Sequence, residues 1–181
     1  MLLVLLVILL AIPLALLTGG RLQNLALHPL TALPWLGLAA FFQLFGALAA
    51  GTFYAAGLIA SAICIAIFLR RNLNRPGVPL LALGFFSNAL VVALNGAMPV
   101  APSALTAAGL SPTVAPGPRH ELETPATLLP WLGDTLPLAL PTTGQAISLG
   151  DLLTASGAAL LLHTALQPTP EPELPGSEMA S

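Results

Sequence analysis

The sequence has very little charge and no lysine. Of its 181 residues, only 7% are charged, comprising five arginines and seven acidic residues. Soluble domains carry roughly a quarter charged residues, because they need that polar surface to remain in water. With 56% hydrophobic residues and a mean hydropathy of +0.92, the composition excludes an ordinary soluble domain. It indicates a protein whose solvent is lipid.

Other absences restrict the function. The net charge is −2 and no basic stretch is interleaved with aromatic residues, so no nucleic-acid partner is expected. Cys64 is the single cysteine, which excludes an internal disulfide. The sequence contains no glycine-rich phosphate loop, no nucleophile elbow and no paired metal-ligand motif. We therefore expect no cofactor and no metal.

Long apolar runs are abundant, and they predict five transmembrane helices. These runs cover about residues 1–18, 35–50, 53–69, 79–98 and 149–165. Each approaches the roughly 20 residues that cross about 30 Å of hydrocarbon. Two short spans joined near Gly51 explain residues 35–69 better than one overlong crossing, which stays the alternative. The predicted fold class is all-α, a polytopic helical bundle forming one membrane domain over residues 1–165.

The arginines predict the orientation. Three of them lie between residues 70 and 75, and short loops rich in arginine stay in the cytoplasm. Five spans then place the N-terminus outside, the proline-rich loop 99–148 outside, and a disordered tail 166–181 in the cytoplasm. The sequence thus predicts a multi-pass protein of the bacterial inner (plasma) membrane. Its expected partners are the lipid bilayer and either a second copy or another membrane protein.

Two segments of the outer loop have sequence patterns that predict local structure or location. Residues 102–110 predict a short helix with Ser103 as its N-cap. The segment 128–140, "LLPWLGDTLPLAL", is apolar but too short and too proline-broken to cross. We expect it to lie in the membrane interface or to dip partway into the membrane, with Trp131 at headgroup depth.

Polar residues around the last two spans predict a site at the extracytoplasmic face. Asp151 opens the last span and shares a helix face with small residues, so it should point into the bundle and not at lipid. Asn88 and Asn95 lie seven residues apart on one face of the fourth span. Asp134 should lie at the same depth, beneath a loop that holds His120. The candidate catalytic residues are the two aspartates, and the candidate binding residues are the two asparagines and the histidine.

Three short motifs carry a family resemblance. They are "NGAMPV" at residues 95–100, "LGD" at 132–134 and "SLGD" at 148–151, followed by a span of small residues. In this order they are similar to an uncharacterised family of small bacterial polytopic membrane proteins, known only as a domain of unknown function. The resemblance covers most of residues 1–165. It implies no assigned activity, and a structural or accessory protein or a ligand-binding protein fits equally.

A more distant resemblance concerns the last span. Residues 146–162, "AISLGDLLTASGAALLL", resemble the final span of signal peptidase II, an aspartyl hydrolase of the membrane. That resemblance implies Asp134 and Asp151 as an acid/base pair, in which one carboxyl keeps a proton and the pair activates water. The Asn-x-x-Asp-Arg signature of that family is absent, since Thr135 follows Asp134. An enzyme would require the two carboxyls to share a cleft, whereas a structural role would separate them.

Overall fold

The fold combines six helices with a small sheet. The computed structural model describes residues 2–27, 29–49, 51–114, 117, 119–139 and 144–168. The helices are α1 (Leu2–Leu17), α2 (Leu33–Ala49), α3 (Gly51–Arg71), α4 (Val78–Asn95), α5 (Pro102–Ala107) and α6 (Leu149–Leu166). The strands are β1 (Met98–Val100), β2 (His120–Leu122), β3 (Asp134–Ala139) and β4 (Gly144–Ser148), and two 3-10 helices cover Leu22–Leu27 and Pro130–Leu132.

The five predicted apolar runs lie in α1, α2, α3, α4 and α6. The expectation of a mostly helical chain is confirmed. By length and apolar composition, α4 and α6 are long enough to cross a membrane, while α1 and α2 contain the shorter apolar segments Leu5–Leu17 and Leu33–Gly46. Five crossings remain a prediction. The predicted tail lies largely outside the described residues, and α6 continues one residue beyond the predicted end of its span.

The all-α prediction is wrong, because the loop between α4 and α6 contains a four-stranded sheet. The strand order is β2-β1-β3-β4. Strand β1 is parallel to both β2 and β3, and β3 is antiparallel to β4. Within the segment 128–139 the structure has a 3-10 helix and β3, and the location of this segment in the membrane interface stays a prediction.

The end of α4 and the start of α5 also differ from expectation. Helix α4 ends at Asn95 and not at residue 98, because Gly96 takes a left-handed conformation (φ 85°) and donates its N–H to the Val92 carbonyl. This turn releases the chain into β1. Helix α5 has Ala101 as its N-cap residue, with no side-chain cap bond, so Ser103 is inside the helix and not its cap.

Helix α6 is central to the packing, since it contacts both α1 and α4, while α2 and α3 pair with each other. Glycines allow α4 and α6 to approach closely. A Cβ on Gly84 would meet the backbone of Gly150, and a Cβ on Gly157 would lie 2.5 Å from the Leu81 nitrogen. Small residues bring helix backbones together in this way where large side chains would hold them apart.

Charges are segregated to opposite ends of the antiparallel α4–α6 pair. One end, here called the arginine end, contains the end of α3, the start of α4 and the last turn of α6. Four arginines lie there, at positions 21, 70, 71 and 75. The other end, here called the sheet end, carries the four acidic residues of the described chain, at positions 121, 123, 134 and 151.

Candidate functional site

A polar cluster at the sheet end joins α4 to the start of α6. Ser148 caps α6 by accepting the Asp151 N–H at 2.9 Å, and the Asp151 carboxylate accepts the Ser148 N–H at 3.4 Å. This is a capping box, in which two otherwise unpaired amides are satisfied reciprocally. Asn88 completes the cluster from α4. Its Nδ2 donates to Asp151 Oδ1 at 2.9 Å, and its Oδ1 accepts from Ser148 Oγ at 2.9 Å.

Gly150 explains why Asn88 can reach this position. A Cβ on Gly150 would overlap Asn88 Oδ1 and would lie 2.8 Å from the Gly84 carbonyl. The absence of a side chain therefore creates the space that the amide occupies. Three residues of the motif "SLGD" have a defined structural role. Ser148 accepts the Asp151 N–H, Gly150 leaves space for the Asn88 amide, and Asp151 accepts the Ser148 N–H.

Asp134 lies next to this cluster through the sheet. It is the register partner of Ser148 across β3 and β4 and of Val100 across β1 and β3. Its backbone carbonyl accepts the Ala101 N–H at 3.1 Å. The side chain is almost fully buried, at 6% exposed, and Oδ2 lies 3.5 Å from Nε2 of His120, the first residue of β2. The sheet thus brings together residues that are far apart in sequence.

Two buried polar atoms here have no hydrogen-bond partner among the described residues. They are Asp134 Oδ1 and His120 Nδ1. Most buried polar atoms in proteins are paired, since an unpaired one loses its bonds to water and gains nothing in return. The hydrogen-bonding capacity of these two atoms is therefore not used by any described group of the chain.

Burial sets the protonation of this pair. Burial, and then the negative charge of Asp151, together raise the pKa of Asp134 from 3.8 to about 7. Burial also lowers the pKa of His120, against the opposing effect of the Asp151 charge. Near neutral pH the histidine is therefore neutral and the Asp134 carboxyl can keep its proton. The pair can hold or release one proton without a charged histidine.

The two candidate catalytic residues are neighbours but are not hydrogen-bonded to each other. Asp151 Oδ1 accepts from Asn88 and Asp151 Oδ2 accepts from the Ser148 N–H. The Asp134 carboxyl lies next to His120 instead. Their coupling is electrostatic, as the pKa of Asp134 shows. The structure therefore places both aspartates at the same end of α6, as the sequence suggested, with different partners.

Asn95 lies apart from the cluster and binds the loop that precedes β3. Its Nδ2 donates to the carbonyls of Val91 and Leu128, at 2.8 and 2.9 Å, and its Oδ1 accepts the Leu128 N–H at 2.8 Å. The Asn95 side-chain amide thus bonds to both the N–H and the carbonyl of Leu128, as the backbone of a neighbouring strand would. Its polar atoms are thus used within the chain.

The sequence analysis did not single out Ser148. The signal was present, because a serine three residues before an acid at the start of an apolar run is typical of a capping box. No sequence pattern indicated that Asp134 pairs with Ser148, because this pairing depends on the sheet. No group of three or more His, Cys, Asp or Glu side chains in the described ranges could hold a metal ion.

Comparison with known proteins gives a family and no activity. Residues 21–163 match the model of DUF5317, described as a family of unknown function. No curated protein and no solved structure matches the chain. The resemblance to a domain of unknown function is thus supported, whereas the comparisons add nothing to the more distant resemblance to signal peptidase II.

Proposed function

We propose that this chain, which belongs to the DUF5317 family, is a multi-pass membrane protein with a polar ligand-binding site at its extracytoplasmic face. The site consists of Asp134 and His120, supported by the cluster of Asn88, Ser148 and Asp151. The observation that carries the proposal is the pair of unpartnered buried atoms, Asp134 Oδ1 and His120 Nδ1. The ligand is a small polar molecule that donates hydrogen bonds to the carboxyl.

Apolar side chains on the outer helix faces support the membrane location. Large hydrophobic residues are exposed along four helices, including Leu10 and Leu17 on α1, Leu44 and Leu48 on α2, Ile59 and Ile63 on α3, and Leu83 and Phe86 on α4. Monomeric soluble proteins rarely expose continuous apolar faces of this kind. Lipid chains would cover these apolar faces.

The charge distribution supports the orientation. Positively charged segments stay in the cytoplasm, and four of the five arginines lie at the arginine end. The sheet end, with its acids and the candidate site, is then extracytoplasmic. Within this proposal the chain lies in the bacterial inner membrane, with a second copy or another membrane protein as its partner.

Topology mapping tests the first half of the proposal. Single cysteines at Asn74 and at Thr113, in a background with Cys64 replaced by alanine, are exposed to a membrane-impermeant maleimide on intact cells. We expect labelling at position 113 only, with position 74 labelled after the membrane is opened. Labelling of both positions, or of position 74 alone, on intact cells would contradict the proposed orientation and an extracytoplasmic site.

Ligand binding tests the second half. The probes are ethanolamine and glycerol, which offer an ammonium and hydroxyl donors, and the measurement is thermal unfolding of the purified protein in detergent micelles. We expect ethanolamine or glycerol to raise the unfolding temperature of the wild type but not of Asp134→Asn. The matched control is Glu121→Gln, an exposed acid on β2 of the same sheet. If Asp134→Asn responds as the wild type does, the site is not at Asp134.

The aspartyl hydrolase is a second candidate, favoured by the raised pKa of Asp134 beside the Asp151 charge. In such a reaction Asp151 accepts a proton from water, the water oxygen attacks a peptide carbonyl, and Asp134 protonates the leaving nitrogen. This candidate requires Asp151 to exchange a bond in the capping box for the water. Cleavage of a fluorogenic lipopeptide in micelles should then be lost in both Asp134→Asn and Asp151→Asn. Cleavage that survives either change, or none in the wild type, excludes it.

A further inference from the structure

An apolar groove opens at the arginine end, away from the polar cluster. Its volume is about 580 Å³, within the range of roughly 300–1,000 Å³ that is typical of ligand sites. Leu81 of α4, Leu161 of α6, Ile8 of α1 and Leu30 supply apolar walls. Lining residues on α6 run from Ala158 to Ala165, which corresponds to about 10 Å along the helix axis. The groove therefore follows the axis of α6 over this distance.

Arg75 is the charged residue that lines the groove. One of its guanidinium nitrogens, Nη2, donates to the Pro29 carbonyl at 2.9 Å. A guanidinium has five N–H donors in a planar fork, and no carboxylate of the described ranges lies within ion-pair distance of Arg75. Its remaining donors are thus available at the groove mouth. Arg71 is exposed nearby, and its backbone carbonyl accepts from Thr31 Oγ1 at 3.2 Å.

The wall that holds Arg75 is fixed. The buried Asn72 accepts the Thr31 N–H at 2.9 Å and donates to the Thr31 carbonyl at 2.9 Å and to the Phe68 carbonyl at 2.8 Å. This fastens the segment before α2 to the end of α3. The groove is therefore bounded by a preformed structure, which lowers the entropy cost of binding.

We propose that this groove binds an anionic phospholipid, with an acyl chain along Leu81 and Leu161 and the headgroup phosphate on Arg75. The inference rests on the membrane location proposed above and is independent of the polar site. Apolar walls favour a lipid chain, and the charge at the mouth favours an anion, because arginine pairs with phosphate in a bidentate manner. A zwitterionic phospholipid has the same chains but adds a cation that the arginines would repel.

The test measures binding of phosphatidylglycerol against phosphatidylcholine to the full chain in detergent micelles, by native mass spectrometry. We expect a preference for phosphatidylglycerol that is about fivefold weaker in Arg75→Gln, which is about 1 kcal/mol. The matched control is Arg119→Gln, an arginine at the sheet end, which should keep the preference. Ala158→Phe, which fills the groove, should reduce binding of both lipids.

Several outcomes would overturn the proposal. Equal binding of the two lipids to the wild type removes it, as does an equal effect of Arg75→Gln and Arg119→Gln. If phosphatidylglycerol is preferred only after removal of residues 169–181, which contain three glutamates, the acidic segment occupies the groove instead. Flotation with phosphatidylcholine vesicles separates the two hypotheses: a chain that floats but shows no preference refutes only the lipid site, and a chain that stays soluble refutes the membrane location as well.

Discussion

Replacing Asp134 with asparagine should change the sign of the pH dependence of stability. The pKa of Asp134 is raised from 3.8 to about 7, first by burial and then by the Asp151 charge. Between about pH 4 and pH 7 the folded state therefore binds more protons than the unfolded state, and the free energy of unfolding falls as the pH rises. At 1.36 kcal/mol per pKa unit, the difference between 3.8 and about 7 corresponds to about 4 kcal/mol. The side chain is only 6% exposed, so solvent screening reduces this value little.

His120 acts in the opposite direction. Its pKa is lowered from 6.5 by burial, so the unfolded state binds the extra proton and stability is lost as the pH falls below about 6.5. In the wild type the Asp134 effect is the larger of the two and spans a wider pH interval. In Asp134→Asn only the histidine effect remains, and stability should then rise with pH.

The assay is reversible unfolding in mixed micelles from about pH 4 to pH 8, a range that spans both effects, followed by helical circular dichroism. We expect the wild type to be least stable at the alkaline end and Asp134→Asn to be least stable at the acid end. Glu121→Gln, on the exposed side of β2, should retain the wild-type profile. Parallel profiles for the wild type and Asp134→Asn would refute the reasoning, because they would show that the Asp134 carboxyl titrates alike in both states.

Three further predictions concern the bonds around the site. Asp151→Ala should lower the free energy of unfolding by about 2–4 kcal/mol in chemical denaturation, because it removes the carboxylate that accepts from the Ser148 N–H and from Asn88. Gly150→Ala should cost about 1–3 kcal/mol in the same assay, because its Cβ meets Asn88 Oδ1. Asn95→Ala should speed amide hydrogen exchange at Leu128, whose N–H it accepts.

Each of these has a control within the chain. Glu121→Ala should change stability by less than about 0.5 kcal/mol, since the residue is exposed. Gly37→Ala, where a Cβ would meet nothing within 4 Å, should be neutral or stabilising in its helix. If Gly150→Ala behaves like Gly37→Ala, the close contact of α4 with α6 is incorrect. Unchanged exchange at Leu128 in Asn95→Ala would show that the loop is held by other contacts.

The helices and the inward direction of the Asp151 side chain could be predicted because their signals are local. Long apolar runs identify helices without reference to the rest of the chain, and a serine three residues before an acid identifies a helix start. The inward direction expected for Asp151 agrees with its bond from Asn88. Both residues lie on helices whose faces can be read from the period of the sequence.

The sheet could not be predicted, because nothing local specifies it. Strands β1 and β2 have three residues each and β3 contains Pro137, so no run of alternating residues is long enough to stand out. The pairing of Val100 with Asp134 joins segments 34 residues apart. The position of His120 beside Asp134 depends on this pairing, and so do the raised pKa and the unpartnered atoms that carry the functional proposal.

Strand β4 ends at Ser148 and α6 begins at the next residue, so no flexible connection separates the sheet from the helix. The capping box fixes this junction in addition. Helix α6 has 18 residues and extends about 27 Å from its junction with β4. A small tilt of β4 would swing the far tip of α6, where Ala165 borders the groove. The sheet end and the groove are thus joined by one continuous segment of the chain.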